Sequence, residues 1–260
     1  MIWDECVDMK LTRGDCIAAV GGGVGGDLAG FAAATYMRGI DFYNVPTTVL
    51  SQVDSSVGGK CAIDFGGYKN IIGAFHQPKG VLIDHALLKT LDRRQFANGI
   101  AEAVKMAATF DEKLFSKFET EGEKDYAHII NEAIKIKIAV VEKDEREAGL
   151  RRVLNFGHTA AHAIESTSKF KDILHGEAVA MGMVPMATGE ARERIRRVLA
   201  REGLPTALPC DPKELTEAVY HDKKMSGDTL RCVVCPEIGK WETVEMTPSE
   251  FERHLTEVKA

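Results

Sequence analysis

The residues best suited to chemistry are three histidines, His158, His162 and His175, which lie close together in the chain. His158 and His162 stand four positions apart, and residues at that spacing share one face of a helix. Imidazoles with one carboxylate and an open position are typical of a catalytic Zn²⁺ site. The grouping therefore predicts a metal centre, with histidines packed in a core as the alternative.

The acidic ligand of such a centre is left open by spacing alone. Three glutamates are candidates, namely Glu102, Glu165 and Glu177. Glu102 is favoured because the segment 101–105 has a helical, mostly apolar pattern in which a charge would otherwise be poorly placed.

A glycine-rich run over 21–26 follows an apolar, strand-like segment and precedes a helical one. Free backbone N–H groups at the start of a helix can receive a pyrophosphate, and a Cβ atom would block its approach. The run does not match the spacing of the dinucleotide-binding fingerprint. A tight turn without a ligand is therefore an equal alternative on these residues alone.

A second group combines an acid, two lysines and an amide: Asp54, Lys60, Lys69 and Asn70. We expect all four on glycine-rich loops after strands, where α/β proteins place ligand contacts. Lysines on loops are also commonly just solvated, so a surface without a ligand is the alternative.

The elements that must position these residues change character along the chain. Short β-rich runs joined by one helical segment predict a parallel sheet before residue 92, and helical periodicity dominates afterwards. We predict an α/β Rossmann-like domain over 1–91 and a mostly α-helical metal- and substrate-binding domain over 92–260. The predicted strands are 16–20, 42–46, 80–84, 230–234 and 241–244, and the predicted helices are 28–37, 96–118, 127–142, 158–168, 176–199, 213–220 and 248–258.

The composition is that of a globular protein, with 45% hydrophobic and 28% charged residues among 260. A net charge of −6 argues against a nucleic-acid surface. The start of the chain lacks the pattern of a signal peptide and no run is long enough to cross a membrane, so we expect a cytoplasmic protein. The six cysteines are expected to be reduced packing residues.

Taken in order, these motifs resemble the dehydroquinate synthases, a family of sugar-phosphate cyclases. The resemblance runs from about residue 15 to residue 203 and is looser beyond. It is carried by the segments 22–27, 46–48, 54–60, 69–70, 73–78, 101–102, 155–159 and 175–177. It implies a Rossmann-like domain, incomplete here because family members carry a further α/β unit before the first strand, then a helical metal domain, with the active site in the cleft between them.

The resemblance also implies the cofactors and their ligands. Glu102, His158 and His175 would hold Zn²⁺ or Co²⁺, and His162 would be an active-site residue that does not bind the metal. The NAD site would be formed by Gly22, Gly23, Val24, Gly25, Gly26, Asp27, Thr47, Thr48, Lys60, Lys69, Leu87 and Thr90.

The remaining site residues are implied in the same way. The phosphate of the substrate would contact Lys60, Asn70, Asn155 and Lys224, with Arg38 supplied by the second subunit of a homodimer. Lys137 and Arg151 would bind a substrate carboxylate, because an ammonium and a guanidinium together suit an anionic planar group. The catalytic set would be Lys60, Lys105, His162 and Asp54.

The family reaction converts 3-deoxy-D-arabino-heptulosonate 7-phosphate to 3-dehydroquinate and phosphate in the shikimate pathway. Two alternatives stay open. One is a related cyclase, such as a deoxy-inosose or aminodehydroquinate synthase. The other is an inactive, truncated paralogue that acts as a dimer partner.

Overall fold

The computed structural model describes residues 1–66, 68–166, 172–222 and 229–257. Its α-helices are α1 (Ile2–Asp8), α2 (Gly23–Thr35), α3 (Arg93–Phe110), α4 (Glu112–Glu119), α5 (Tyr126–Lys143), α6 (His158–Ser166), α7 (His175–Met186), α8 (Gly189–Arg201), α9 (Pro212–Asp222) and α10 (Pro248–Thr256). Its strands are β1 (Cys16–Gly21), β2 (Asp41–Pro46), β3 (Lys60–Phe65), β4 (Tyr68–Phe75), β5 (Gly80–Val81), β6 (Leu230–Glu237) and β7 (Lys240–Met246). No helix in these ranges is long and apolar enough to cross a membrane.

The first part of the chain forms a parallel sheet in the order β1-β2-β5. Ile17 pairs with Phe42 and Tyr43 pairs with Gly80, with α2 as the crossover from β1 to β2. This confirms an α/β unit. The predicted strand 80–84 is too long, because the Asp84 side chain accepts from the Ala86 N–H at 2.8 Å and begins a 3-10 turn.

The crossover helix was predicted over 28–37, and both predicted ends differ from those of α2. It begins at Gly23, so the glycine-rich run forms its first turn. It ends at Thr35 because Met37 and Arg38 have φ of 49° and 70°, in the left-handed region that a right-handed helix cannot contain. The N-cap is Gly22, which has no side chain to satisfy the first N–H groups.

The segment between β2 and β5 contains an antiparallel hairpin of β3 and β4, which was not predicted from the sequence. Lys60 begins β3, and Lys69 and Asn70 lie in β4, so the expectation that these three residues occupy loops is wrong. These residues are extended because β3 and β4 pair with each other, and the sequence of one strand alone does not indicate such pairing. Asp54 lies in a π-helical turn, Ser51–Ser55.

The rest of the described chain is mostly helical around one large apolar core, and the 18-residue α3 is buried along most of its length. Two predicted long helices are each divided. The helix 96–118 breaks at Asp111, whose side chain accepts from the Leu114 N–H at 3.0 Å and starts α4. The helix 176–199 breaks where Ala187 and Thr188 take extended conformations between α7 and α8.

The described residues form two apolar clusters, and residues before position 92 contribute to both. A small cluster joins Ala33, Ile40, Phe42 and Cys61, whereas Val49 and Val53 pack into the large helical core. The turn that carries Asp54 is therefore fixed against the helical part of the molecule. The boundary between 91 and 92 stays a prediction.

Candidate active site and metal centre

Three helices bring one carboxylate and two imidazoles together. Glu102 lies in the middle of α3, His158 begins α6 and His175 begins α7, and their ligand atoms all lie within 4.8 Å of one another. The Nε2 atoms of His158 and His175 are each 3.6 Å from Glu102 Oε1. Of the three candidate acids, the geometry selects Glu102.

The surroundings of Glu102 fit a divalent metal. The side chain is 0% exposed, and neither of its carboxylate oxygens accepts a hydrogen bond from the residues that the structure describes. A buried carboxylate without such donors is costly unless a cation compensates it. Lys105 forms an ion pair on one side, and the two imidazole nitrogens face the other oxygen. Two histidines and one carboxylate are a common set of ligands for catalytic zinc.

The Nδ1 atoms of both imidazoles, which point away from Glu102, also have polar partners. His158 Nδ1 lies 3.2 Å from the Phe156 carbonyl oxygen, and His175 Nδ1 lies 3.1 Å from Glu165 Oε1. Contacts of this kind fix the ring orientation of metal-binding histidines. Glu165 is thus placed behind His175, while Glu177 pairs with Arg94 at 2.6 Å and caps the start of α7.

The charges around the cluster set opposite pKa shifts on its two histidines. Burial, assisted by the Lys105 ammonium, lowers the pKa of His158 to about 3, so this ring is neutral and can bind a metal. Burial also acts on His175, but the carboxylates of Glu102 and Glu165 outweigh it and raise the pKa to about 10. The same negative field that favours a proton on His175 favours a metal cation.

A cavity of about 350 Å³ opens beside His158. The residues that line it include Lys60, Asn155 and His162, three of the predicted site residues. Glu147 and Arg231 also line it, and neither was predicted from the sequence. Glu147 falls in a charged run that is typical of a solvated turn, and Arg231 lies inside the predicted strand 230–234, where a single cation does not indicate a site.

Other predicted residues are not among those that line the cavity. Lys137 is buried and pairs with Asp54. Arg151 is buried and donates to the Gly58 carbonyl at 3.1 Å and to the Glu145 carbonyl. In this conformation both predicted carboxylate-binding cations are therefore held by the protein itself.

The glycine-rich run forms a cradle at the N-terminus of α2. An added Cβ would meet Thr48 Cγ2 at 3.2 Å from Gly22, Ser55 Oγ at 3.1 Å from Gly23 and Asn44 Nδ2 at 2.9 Å from Gly26. A Cβ at Gly25 would meet nothing within 4 Å, so the outer side of the turn is open. The inner side of the turn is closely packed, and the first N–H groups of α2 have no side-chain cap on the open side. This arrangement fits a bound pyrophosphate.

The remaining predicted residues are more dispersed. Thr48 Oγ1 lies 2.9 Å from Ser51 Oγ beside the cradle, whereas Lys69 pairs with Glu165 at 3.2 Å near the metal cluster. Asn70 has φ of 53° in β4, with its N–H donating to Asp64 at 2.8 Å. Val24, Arg38, Leu87 and Thr90 are exposed, as are Lys69 and Asn70, whereas Thr47 is half-buried and Lys224 lies outside the described residues.

Known proteins match nearly the whole chain. The family model described as 3-dehydroquinate synthase N-terminal matches residues 1–98, and the one described as 3-dehydroquinate synthase C-terminal matches residues 99–225. The 3-dehydroquinate synthase of Nitratiruptor sp. is 47% identical over 249 residues, which cover 91% of this chain and 71% of that protein.

Two solved sugar-phosphate cyclases share the fold. The 2-epi-5-epi-valiolone synthase of Streptomyces hygroscopicus subsp. jinggangensis, solved with NAD⁺ and Zn²⁺, has a TM-score of 0.89 and 28% identity, covering 99% of this chain and 77% of that chain. A 2-deoxy-scyllo-inosose synthase in complex with carbaglucose-6-phosphate, NAD⁺ and Co²⁺ has a TM-score of 0.86 and 26% identity, covering 98% and 77%. With a relative at 47% identity and family models matching residues 1–225, the chain belongs to the 3-dehydroquinate synthase family.

Proposed function

We propose that the chain is a 3-dehydroquinate synthase, which converts 3-deoxy-D-arabino-heptulosonate 7-phosphate to 3-dehydroquinate and phosphate with NAD and a divalent metal. The observation that carries this proposal is the buried cluster of Glu102, His158 and His175 beside a cavity that holds Lys60 and Asn155. A metal-binding group next to phosphate-binding side chains suits a sugar phosphate whose hydroxyl and phosphate both react.

The cofactors have separate places in this scheme. Glu102, His158 and His175 would hold Zn²⁺ or Co²⁺, and the turn from Gly22 to Asp27 would hold the pyrophosphate of NAD. When bound, the metal favours ionisation of a substrate hydroxyl, and NAD accepts and returns a hydride. Burial would raise the pKa of Glu102, but the Lys105 ammonium together with His175 and His158 holds it well below its usual value, so the carboxyl stays ionised.

The protein side chains supply positioning and proton transfer. Lys60 and Asn155 would orient the leaving phosphate, assisted by Asn70 and Lys224, so that elimination proceeds from a fixed geometry. His162 lies with its ring centroid 5.7 Å from that of His158 and lines the cavity, where an imidazole can move a proton. Lys137 and Arg151 would accept the substrate carboxylate after leaving their present internal partners.

We further propose a homodimer in which Arg38 acts in the neighbouring subunit's site. Arg38 ends the 3-10 turn that follows α2, and it is exposed, as a residue that reaches a neighbouring subunit must be in a single chain. Mixing Arg38→Ala with Glu102→Ala subunits tests this arrangement. Activity should return in the mixture if Arg38 acts across the interface, because one site per mixed dimer is then complete; a mixture as inactive as each variant contradicts it. A cytoplasmic location stays a prediction.

The test of the function is phosphate release from the seven-carbon keto-acid phosphate in the presence of NAD⁺ and Zn²⁺, with Glu102→Ala as the control. Release in the wild type and none in the control is the expected result. Faster release from a neutral sugar phosphate would favour a related cyclase, since such a substrate needs no grip by Lys137 and Arg151. No release from folded, metal-loaded protein would favour an inactive dimer partner.

A further inference from the structure

The turn after α5 brings one carboxylate into the active-site cavity. Glu147 has φ of 60°, a left-handed conformation that is uncommon for a residue with a side chain. The Asp144 carboxylate accepts from the N–H groups of Ala148, Gly149 and Arg151 at 2.8, 2.7 and 2.9 Å and thereby holds this turn. The placement of Glu147 is therefore fixed by the backbone around it.

The Glu147 carboxylate contacts two donors that the proposed function assigns to the substrate phosphate. Lys60 Nζ forms an ion pair with Oε2, and Asn155 Nδ2 donates to Oε1 at 2.6 Å. All three side chains line the same cavity. Burial would raise the pKa of Glu147, but the hydrogen bonds from Lys60 and Asn155 hold it below its usual value, so the group is an anion.

We propose that Glu147 is a resident anion of the phosphate subsite, which the substrate phosphate must displace and which returns when inorganic phosphate leaves. The proposal rests on the proposed function, because that function makes Lys60 and Asn155 phosphate ligands. A carboxylate and a phosphate compete for the same charged and polar donors, so only one of them can occupy the subsite.

This competition discriminates between substrate and product. The intact sugar phosphate has further groups that bind elsewhere in the site, and their binding compensates for the displacement of Glu147. Inorganic phosphate has only this subsite, so the resident carboxylate weakens its binding selectively. Glu147 would thus favour release of the product phosphate and limit inhibition by it.

Calorimetric titration of the full, metal-free chain with inorganic phosphate tests the proposal. Glu147→Gln keeps the shape of the side chain and removes its charge, so phosphate should bind about tenfold more tightly, as expected for removal of one competing charge near a protein surface. Glu147→Gly should give a similar gain. Because glycine adopts a φ of 60° without strain, this second variant separates the effect from a folding defect.

Glu145→Gln is the matched control, since its carboxylate accepts instead from Gln77 Nε2 at 2.7 Å. It should bind phosphate as the wild type does. Unchanged or weaker phosphate binding in both Glu147 variants would overturn the proposal. Turnover of the wild-type chain is measured separately, so turnover with unchanged phosphate affinity in the variants rejects the role of Glu147 and leaves the proposed function standing.

Discussion

The Lys137 ammonium lies 2.5 Å from Asp54 Oδ1 and also donates to the Asp54 backbone carbonyl. This contact joins α5 to the Ser51–Ser55 turn, although the two residues are far apart in the sequence. Lys137 is almost fully buried, and burial lowers its pKa against the opposing effect of Asp54. The pair therefore couples a predicted substrate-binding cation to the stability of the fold.

Removal of Asp54 should destabilise the protein, because it leaves the Lys137 ammonium buried without its counter-charge. We expect Asp54→Ala to lower the free energy of unfolding by about 3 kcal/mol. The double variant Asp54→Ala/Lys137→Met should recover much of that loss. Urea unfolding followed by circular dichroism measures both, and equal stability of Asp54→Ala and wild type would show that the pair has no structural role.

Glu102 should be the acid required for metal binding. Glu102→Gln is expected to weaken Zn²⁺ binding by at least about 100-fold, since a neutral amide is a poor replacement for an anionic ligand. Glu177→Gln is the control, because Glu177 pairs with Arg94 and not with the histidines. Competition with a chromophoric chelator gives both affinities. Comparable loss in the two variants would contradict the assignment.

Glu165 should influence the metal through His175, whose Nδ1 atom it contacts at 3.1 Å. Loss of such an orienting contact typically reduces metal affinity by about 10- to 100-fold. We expect Glu165→Gln to show a loss in this range with the protein still folded. Lys69→Met, which removes only the outer partner of Glu165, should have a smaller effect on the measured Zn²⁺ affinity.

His162 should act in turnover without holding the metal. It lines the cavity beside His158 but is not part of the cluster formed by Glu102, His158 and His175. His162→Ala is expected to keep its Zn²⁺ content, measured by elemental analysis, while kcat falls by about 100-fold or more, a magnitude typical of a lost proton-transfer group. Parallel loss of metal and activity would count against this role.

Asp27 should make stability depend on pH at the glycine cradle. Burial, with a contribution from the Asp54 charge, raises its pKa to about 6. Its folded-state pKa lies above its unfolded value, so the folded protein holds the proton more tightly and loses stability as the pH rises from about 4 to 6.

Asp27→Asn removes this titration. The difference in the free energy of unfolding between wild type and variant should change from about pH 4 to pH 6 and stay constant above pH 6. For a half-buried side chain the change should be roughly 1–2 kcal/mol. Chemical denaturation at pH values from 4 to 8 gives both curves, and parallel curves throughout would contradict the raised pKa.

Local sequence patterns were sufficient for several parts of the fold. α5 was predicted to within one residue at each end, because its periodicity continues without interruption from an Asp125 cap. The prediction failed where one residue ends an element, as Asp111 does between α3 and α4. It also failed at the β3-β4 hairpin, because hydrogen bonds between the two strands stabilise it and the local sequence of each strand alone does not indicate them.

The sequence by itself indicated the family, through the order of its motifs. Residue types and short spacings, which local physical rules govern, indicated the α/β unit followed by helices and the three histidines His158, His162 and His175 as metal-binding candidates. Spacing left the three glutamates open, and the family resemblance implied Glu102. The tertiary structure gives the physical reason for that choice, because α3 reaches the histidines through packing of the whole core. It alone placed Glu147 between Lys60 and Asn155, since ion pairs between distant segments depend on how the chain is folded in space.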